Sequence, residues 1–283
     1  MSKEAAAARA ALALALKAAR PDATFDDKGY TTTLEMNLLP GIPVAMIEAE
    51  YGNAAGGELK QKMRAPWSSS ALVVNSFSPW RNAETTMQVA GIDGLPTTLK
   101  LEAKCPNGVA RIPPHVDVLF DFGHAIVAVE SKLIEYLVPK KQVPAQAYLT
   151  LEETGDPRAS SQWFQVLQEL HEFELLDAYQ LVKHYLGLRL TYPTKPLTIV
   201  YLFWEPTNPD DSPIFGNHRA EITKFGELVG GDPTCEFRWQ SYADHWTELG
   251  QIADPPHWLA SHLDSLRARY AVSLESVLTS PTG

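Results

Sequence analysis

The chain has 283 residues, of which 45% are hydrophobic and 20% charged, and its formal net charge is −10. This composition is typical of an ordinary globular protein and argues against indiscriminate coating of nucleic acid, since proteins that do so are usually basic. No apolar run approaches the roughly 18 residues that a membrane span needs. The two cysteines, Cys105 and Cys235, form neither a CxxC pair nor a disulfide framework. We therefore expect a cytoplasmic protein that does not span a membrane.

The segment 3–20 (KEAAAARAALALALKAAR) is rich in alanine and leucine, which are strong helix formers, and Pro21 follows it. We predict an N-terminal helix over these residues. A signal peptide is the alternative interpretation. Its apolar core, residues 10–16, would be short, and the region before it carries both Glu4 and Arg9.

A second helical pattern begins at Gly56 and is interrupted at Pro66, and serines 68–70 are placed to cap a further helix. Glu58 lies in the first turn of this pattern, where a carboxylate complements the helix dipole. An ion pair with Lys62 at i, i+4 explains Glu58 equally well. A functional role and a structural role for Glu58 therefore both stay open.

Residues 97–104 (TTLKLEAK) alternate between polar and apolar side chains and predict a strand. Residues 113–132 (PPHVDVLFDFGHAIVAVESK) contain two short apolar runs separated by Asp-Phe-Gly-His, a pattern typical of a β-hairpin. Asp117 lies within the first run, and Glu130 and Lys132 end the second. A charge inside a buried strand is costly unless it is paired or holds a metal.

A turn centred on residues 122–123 would pair Asp117 with Ala128 and place Glu130 diagonally, at about 7 Å between the Cα atoms. Alternation would put both carboxylates and Lys132 on one face. Two carboxylates at that distance suit one hard cation such as Mg²⁺, and a lysine beside them suits attack by water on a phosphodiester. An exposed Glu130–Lys132 pair on a surface hairpin is the alternative interpretation.

The remainder of the chain predicts alternating helices and strands. The predicted helices cover residues 158–173, 175–188, 218–229 and 257–270, and the predicted strands cover residues 196–204 and 234–239. The first of these helices would bury a stripe made of Trp163, Val166, Leu167 and Leu170. The second carries a polar line made of Gln180, Lys183 and His184, for which a solvent-facing stripe is the alternative explanation.

Asp117, followed after a strand by Glu130-x-Lys132, resembles the motif of the PD-(D/E)XK nuclease superfamily. The residue before Asp117 is Val116, and the prolines lie slightly upstream, at positions 113–114. The resemblance implies an α/β fold with a restriction-endonuclease-like core of helix, three strands, helix and strand. In that core a central mixed sheet is flanked by helices.

The resemblance also implies the organisation of the chain. A single domain would cover residues 1–283, with the nuclease-like core at about 56–204. The N-terminal helix 3–20 and a C-terminal α/β extension, 205–283, would be elaborations of that core.

The resemblance implies a site built on the hairpin. Asp117 and Glu130 would bind Mg²⁺ or Mn²⁺, and the main-chain carbonyl of Ser131 would be a further ligand. Lys132 would position or activate the attacking water.

Residues outside the hairpin would complete this site. Glu58 on the first core helix would complete the metal site and assist catalysis, and Gln180 would assist catalysis from the helix after the catalytic strand. Lys183, Lys140 and Lys141 would contact the phosphates of the nucleic acid.

The implied function is metal-dependent hydrolysis of phosphodiester bonds by a DNA endonuclease of prokaryotic restriction, defence or repair, with RNA kept as an open substrate. A homodimer is expected because a double-strand cut often needs two active sites, and the sequence does not indicate partner proteins. A catalytically silent nucleic-acid-binding or scaffold protein with the same fold is the first alternative. An unrelated α/β protein with a fortuitous spacing is the second. Motifs for P-loop nucleotide hydrolysis and for serine hydrolases are absent from the sequence.

Overall fold

The computed structural model of the protein describes residues 1–51, 62–82, 85–109 and 112–274. The strands in these residues are β1 (Met87–Val89), β2 (Ile92–Gly94), β3 (Thr98–Lys104), β4 (His115–Asp121), β5 (Ile126–Lys132), β6 (Leu197–Phe203) and β7 (Glu236–Ser241). The α-helices are α1 (Lys3–Ala19), α2 (Val44–Tyr51), α3 (Ser69–Phe77), α4 (Gln146–Leu149), α5 (Gln162–Gln165), α6 (Ala178–Thr191), α7 (Pro213–Val229), α8 (Tyr242–Leu249) and α9 (Leu259–Tyr270). None of the described helices has the length and apolarity that crossing a bilayer requires.

The centre of the fold is a five-stranded mixed sheet with the strand order β3-β4-β5-β6-β7. Strand β4 is antiparallel to both of its neighbours, β3 and β5, and strands β5, β6 and β7 run parallel to one another. Strands β1 and β2 form a separate small hairpin. A mixed sheet with helices on its faces confirms the predicted α/β class.

Each face of the sheet packs against a different group of helices because successive side chains of a strand point to opposite faces. Val127 and Val129 of β5 join an apolar cluster with residues of α1, α3, α8 and α9. Ile126 and Ala128 join a second cluster with residues of α5, α6 and α7. Burial on both faces explains why β5 and β6 are almost continuously apolar.

Several predicted elements are confirmed to within a few residues, among them α1, β3, β6 and α9. Ser68 caps α3 as predicted, and its Oγ accepts the N–H of Ala71 at 3.2 Å. Strand β7 belongs to the residues predicted as a C-terminal extension, and it forms the parallel edge of the central sheet.

The prediction of one continuous helix over residues 158–173 is wrong. Only α5 is α-helical there, between short 3₁₀ segments. Ser161 is extended and starts α5 afresh, and the Trp163 indole N–H donates to the carbonyl of Cys235 at 3.0 Å. The predicted apolar stripe is buried all the same. Contacts with the loop before β7 therefore decide the backbone path here.

The predicted register of the hairpin is also wrong, by two residues. Ala128 pairs with Leu119 and not with Asp117. The Phe122 N–H donates to the carbonyl of Ala125 at 3.0 Å, which makes the turn one residue later than predicted. Gly123 has a φ of 80° there, a conformation that glycine adopts without strain.

Candidate active site

Asp117 and Glu130 lie side by side where strands β4 and β5 begin to separate. The paired register ends at Val118 and Val129, and its continuation sets Asp117 directly opposite Glu130. Beyond that point the N–H of Ser131 donates to Asp117 Oδ2 at 2.7 Å. The Asp117 side chain thus accepts the hydrogen bond that a main-chain carbonyl of β4 would accept in a regular antiparallel ladder. In the corrected register Glu130 is thus the residue opposite Asp117 rather than its diagonal neighbour.

Glu130 is buried, with 2% of its surface exposed, and both of its carboxylate oxygens have partners. Oε1 forms an ion pair with the Lys132 amine, and Oε2 lies 2.7 Å from His184 Nε2. Burial alone would raise the pKa of Glu130, but Lys132 and His184 outweigh it and lower this pKa to about 2. Glu130 is therefore ionised at neutral pH.

Asp117 has the opposite electrostatic environment. Burial and the adjacent charge of Glu130 raise the pKa of Asp117 well above its usual range, and Lys132 only partly offsets them. Two carboxylates beside one ammonium group leave an excess of negative charge. A divalent cation is the ligand that such an arrangement favours.

Lys132 is held between Glu130 and helix α6. Its Nζ donates to Gln180 Oε1 at 2.9 Å in addition to its pairing with Glu130. Burial disfavours the ammonium form, but Glu130 and Asp117 together raise the pKa of Lys132 above its usual value. The Asp177 side chain caps α6 and accepts the Gln180 N–H at 3.0 Å, which fixes the start of the helix near β5. The predicted site residues Asp117, Glu130, Lys132 and Gln180 are therefore brought together.

His184 is a site residue that the sequence analysis did not assign. It lies one turn after Gln180 on α6, is 1% exposed and contacts Glu130. The i, i+4 spacing from Gln180 was its only signal in the sequence, and the same spacing is typical of a solvent-facing stripe.

The main chain of Ser131 is oriented toward Asp117. The Trp204 N–H donates to the carbonyl of Lys132 at 2.9 Å, so the main-chain groups of Lys132 face β6. Because consecutive residues of a strand direct these groups to opposite sides, the carbonyl of Ser131 faces β4, as its N–H does. The Ser131 Oγ contacts Tyr242 Oη at 2.7 Å on the other face of the sheet.

A third carboxylate, which the sequence analysis did not single out, lies on the other side of Asp117. Glu102 of β3 falls between the paired positions Leu101↔Val118 and Ala103↔Val116, in register with Asp117. Its φ is 48°, and its Oε2 lies 3.1 Å from His115 Nδ1. The charge of Glu102 also contributes to the raised pKa of Asp117, after burial and Glu130.

The predicted phosphate-binding lysines lie around the start of α6. The Lys183 amine lies 4.7 Å from the centre of the Tyr179 ring, and burial lowers the pKa of Lys183. Lys140 forms an ion pair with Asp177, and Lys141 is exposed. The charges of Asp177 and Glu130 partly offset this effect of burial on the pKa of Lys183.

The residues present fit a hard cation. Asp117 and Glu130 provide two carboxylates, and Ser131 provides a main-chain carbonyl on the same side. No group of three or more His, Cys, Asp or Glu side chains is arranged for metal binding in the part of the chain that the structure describes. Mg²⁺ is commonly held by one or two carboxylates and retains several waters, so a third side chain is not required. Glu58, the fourth predicted ligand, lies outside the described residues.

Comparison with known proteins gives one match. Residues 4–271 match the model of the family described as Restriction Endonuclease associating with ARP. Neither the curated proteins nor the solved structures gave a match. The family match covers nearly the whole chain and supports a nuclease of the restriction-endonuclease type. The chain therefore belongs to the restriction endonuclease family described as Restriction Endonuclease associating with ARP.

Proposed function

We propose that this protein is a Mg²⁺- or Mn²⁺-dependent endonuclease of the PD-(D/E)XK type, which hydrolyses phosphodiester bonds in DNA. The observation that carries the proposal is the convergence of Asp117, Glu130 and Lys132 at the point where β4 and β5 separate. Its setting would be prokaryotic restriction, defence or repair. Membership in a restriction endonuclease family supports the general class of activity.

Asp117, Glu130 and the carbonyl of Ser131 would hold the cation, with Glu58 as a further ligand. The cation, when bound, supplies positive charge that polarises the phosphoryl group and makes water a stronger acid. The raised pKa of Asp117, which burial and Glu130 cause, supports this assignment because a cation would relieve the repulsion between the two carboxylates.

Lys132 would orient the attacking water and stabilise the negative charge that develops on the phosphate. Glu130 and Gln180 hold its amine from two sides, which reduces the freedom of a long side chain. Such restraint favours catalysis because a group already in position does not need to be ordered during the reaction. Gln180 would thus act through Lys132.

Lys183, Lys140 and Lys141 would bind the phosphates next to the scissile bond. Lys183 has its contact with the Tyr179 ring and no ion pair among the described residues, so its charge is available to an anion. Lys140 would exchange its pairing with Asp177 for a phosphate. Binding through such contacts weakens as the salt concentration rises.

The test is cleavage of supercoiled plasmid, linear duplex DNA and single-stranded RNA in Mg²⁺ and Mn²⁺ by wild type, Lys132→Met and Lys195→Met. Lys195 is a matched control because it also pairs with a carboxylate of the sheet, Asp121. We expect metal-dependent DNA cleavage that Lys132→Met reduces about 100-fold or more and Lys195→Met leaves unchanged.

Cleavage that survives Lys132→Met in a folded protein would contradict the proposed site. DNA binding without cleavage in either metal would instead favour a catalytically silent binding protein. Cleavage of RNA alone would keep the site and change the substrate.

A further inference from the structure

We propose that His184 is a positioning residue that fixes Glu130 as a single-oxygen ligand and thereby makes the site prefer Mg²⁺ over Ca²⁺. This inference rests on the proposed function, because it concerns the cation that Asp117 and Glu130 would hold. It adds a residue outside the hairpin and a cation preference, neither of which follows from the spacing of the motif.

His184 is almost fully buried, and its Nε2 lies 2.7 Å from Glu130 Oε2. Its Nδ1 is buried and has no hydrogen-bond partner among the residues that the structure describes. The polar contact of the ring is therefore directed at Glu130.

The Glu130 carboxylate is restrained by contacts with two different elements. His184 on α6 holds Oε2 of Glu130, and Lys132 on β5 holds Oε1. A bidentate ligand must turn both oxygens toward the cation. Bonds from two different elements to the two separate oxygens oppose that rotation. Since Lys132 is directed to Oε1, the bond from His184 is the one that keeps Oε2 away from a cation.

Mg²⁺ and Ca²⁺ differ in the coordination that they accept. Mg²⁺ requires nearly octahedral coordination with short bonds and retains several waters, whereas Ca²⁺ accepts more oxygens, longer bonds and bidentate carboxylates. A Glu130 limited to one oxygen suits Mg²⁺. A Glu130 free to rotate would offer Ca²⁺ a second oxygen. Loss of the His184 bond should therefore shift the preference of the site, in addition to weakening its affinity.

The experiment compares two amide substitutions in DNA-free protein by calorimetric titration with MgCl₂ and with CaCl₂. The side chain of His184→Gln places an amide nitrogen near the position of Nε2, and that of His184→Asn is too short to reach Glu130. We expect His184→Asn to lose about 10- to 100-fold in Mg²⁺ affinity, with a smaller loss for Ca²⁺. We expect His184→Gln to retain the wild-type ratio of the two dissociation constants.

A matched control is His245→Asn. His245 is also fully buried, its ring packs against Phe77 and Tyr242, and neither of its ring nitrogens has a hydrogen-bond partner among the described residues. This control should lower the melting temperature and leave the ratio of Mg²⁺ to Ca²⁺ affinity unchanged. If His184→Asn does not fold, His184→Met provides the same comparison, because it fills a similar volume without a donor.

The outcomes separate this inference from the proposed function. A wild type that cleaves DNA with Mg²⁺ while folded His184→Asn or His184→Met keeps the wild-type affinity ratio would overturn the inference alone. A ratio that shifts equally in His184→Gln and His184→Asn would also overturn it. A wild type that binds neither cation and cleaves nothing would overturn the proposed function and this inference together.

Discussion

The two ends of strand β4 each carry an aspartate near a lysine of the same sheet, but their environments differ. At one end Asp121 accepts two bonds from the Lys195 amine, at 2.9 and 3.1 Å, and both side chains are partly exposed. At the other end Asp117 lies next to Glu130, whose own partner is Lys132. Asp121 thus pairs with Lys195, whereas Asp117 and Glu130 both lie near the same lysine, Lys132.

The pKa values of the two aspartates are shifted in opposite directions. Burial would raise the pKa of Asp121, but the bonds from Lys195 and from the Gly123 N–H outweigh it and lower this pKa. Burial of Asp117 is the main cause of its raised pKa, and Glu130 adds to it. The Asp121 end is balanced in charge, whereas the Asp117 end has a negative charge in excess. The difference shows that a carboxylate near a lysine is not by itself distinctive, and that Asp117 differs from Asp121 in its burial and in the second carboxylate beside it.

Removing one aspartate at a time gives the largest expected difference between the two ends. We expect Asp117→Asn to weaken Mn²⁺ binding by about 100-fold or more, because loss of one charged ligand costs several kcal/mol, and each 1.4 kcal/mol is tenfold. Asp121→Asn should bind Mn²⁺ as wild type does. Electron paramagnetic resonance titration of free Mn²⁺ measures both affinities, and equal affinities would show that the cation lies elsewhere.

Removing one lysine at a time tests the same contrast through stability. Lys132→Met leaves the buried Glu130 without its main partner, and we expect it to lower the free energy of unfolding by about 3 kcal/mol. Lys195→Met disrupts a partly exposed pair and should cost less than about 1 kcal/mol. Urea unfolding of the metal-free proteins gives both values. Similar losses in the two variants would mean that the two ends do not differ in burial as described.

Glu205, a carboxylate outside the candidate site, should have a smaller effect on stability. It lies 3.4 Å from Arg219, yet burial raises its pKa to about 7 in spite of that charge. Because this pKa lies above the ordinary value of 4.5, the native state disfavours ionised Glu205, and stability falls as the pH rises from about 4.5 to about 7.

Glu205→Gln removes this penalty. We expect the variant to be more stable than wild type at pH 8, by about 2 kcal/mol at most, and equal to it at pH 4. Chemical unfolding at the two pH values checks this. A stability difference that does not change with pH would contradict the raised pKa.

Local patterns predicted much of the fold. Strands β5 and β6 contain apolar runs because both of their faces are buried. Strand β3 alternates because it is buried on one face, so the sheet could be identified from the sequence. The face shared by Asp117, Glu130 and Lys132 was also predictable, because a shift of two residues in register preserves the face.

Other features depend on tertiary contacts that local patterns do not contain. The hairpin register depends on where the turn closes, and the closing bond from the Phe122 N–H to the carbonyl of Ala125 places the turn one residue later than predicted. The break of the helix at Ser161 depends on contacts with the segment before β7. The role of His184 depends on how α6 packs over β5, so a polar residue on a helix could be noticed but not assigned.

The measurement that tests the account most directly is Mg²⁺-dependent cleavage of supercoiled plasmid by Asp117→Asn beside Asp121→Asn, with both variants shown to be folded. The account predicts that Asp117→Asn loses about 1,000-fold or more in rate, which corresponds to roughly 4 kcal/mol of transition-state stabilisation, while Asp121→Asn cleaves like wild type. Equal rates in the two variants, or a wild type that cleaves no DNA in either Mg²⁺ or Mn²⁺, would contradict it.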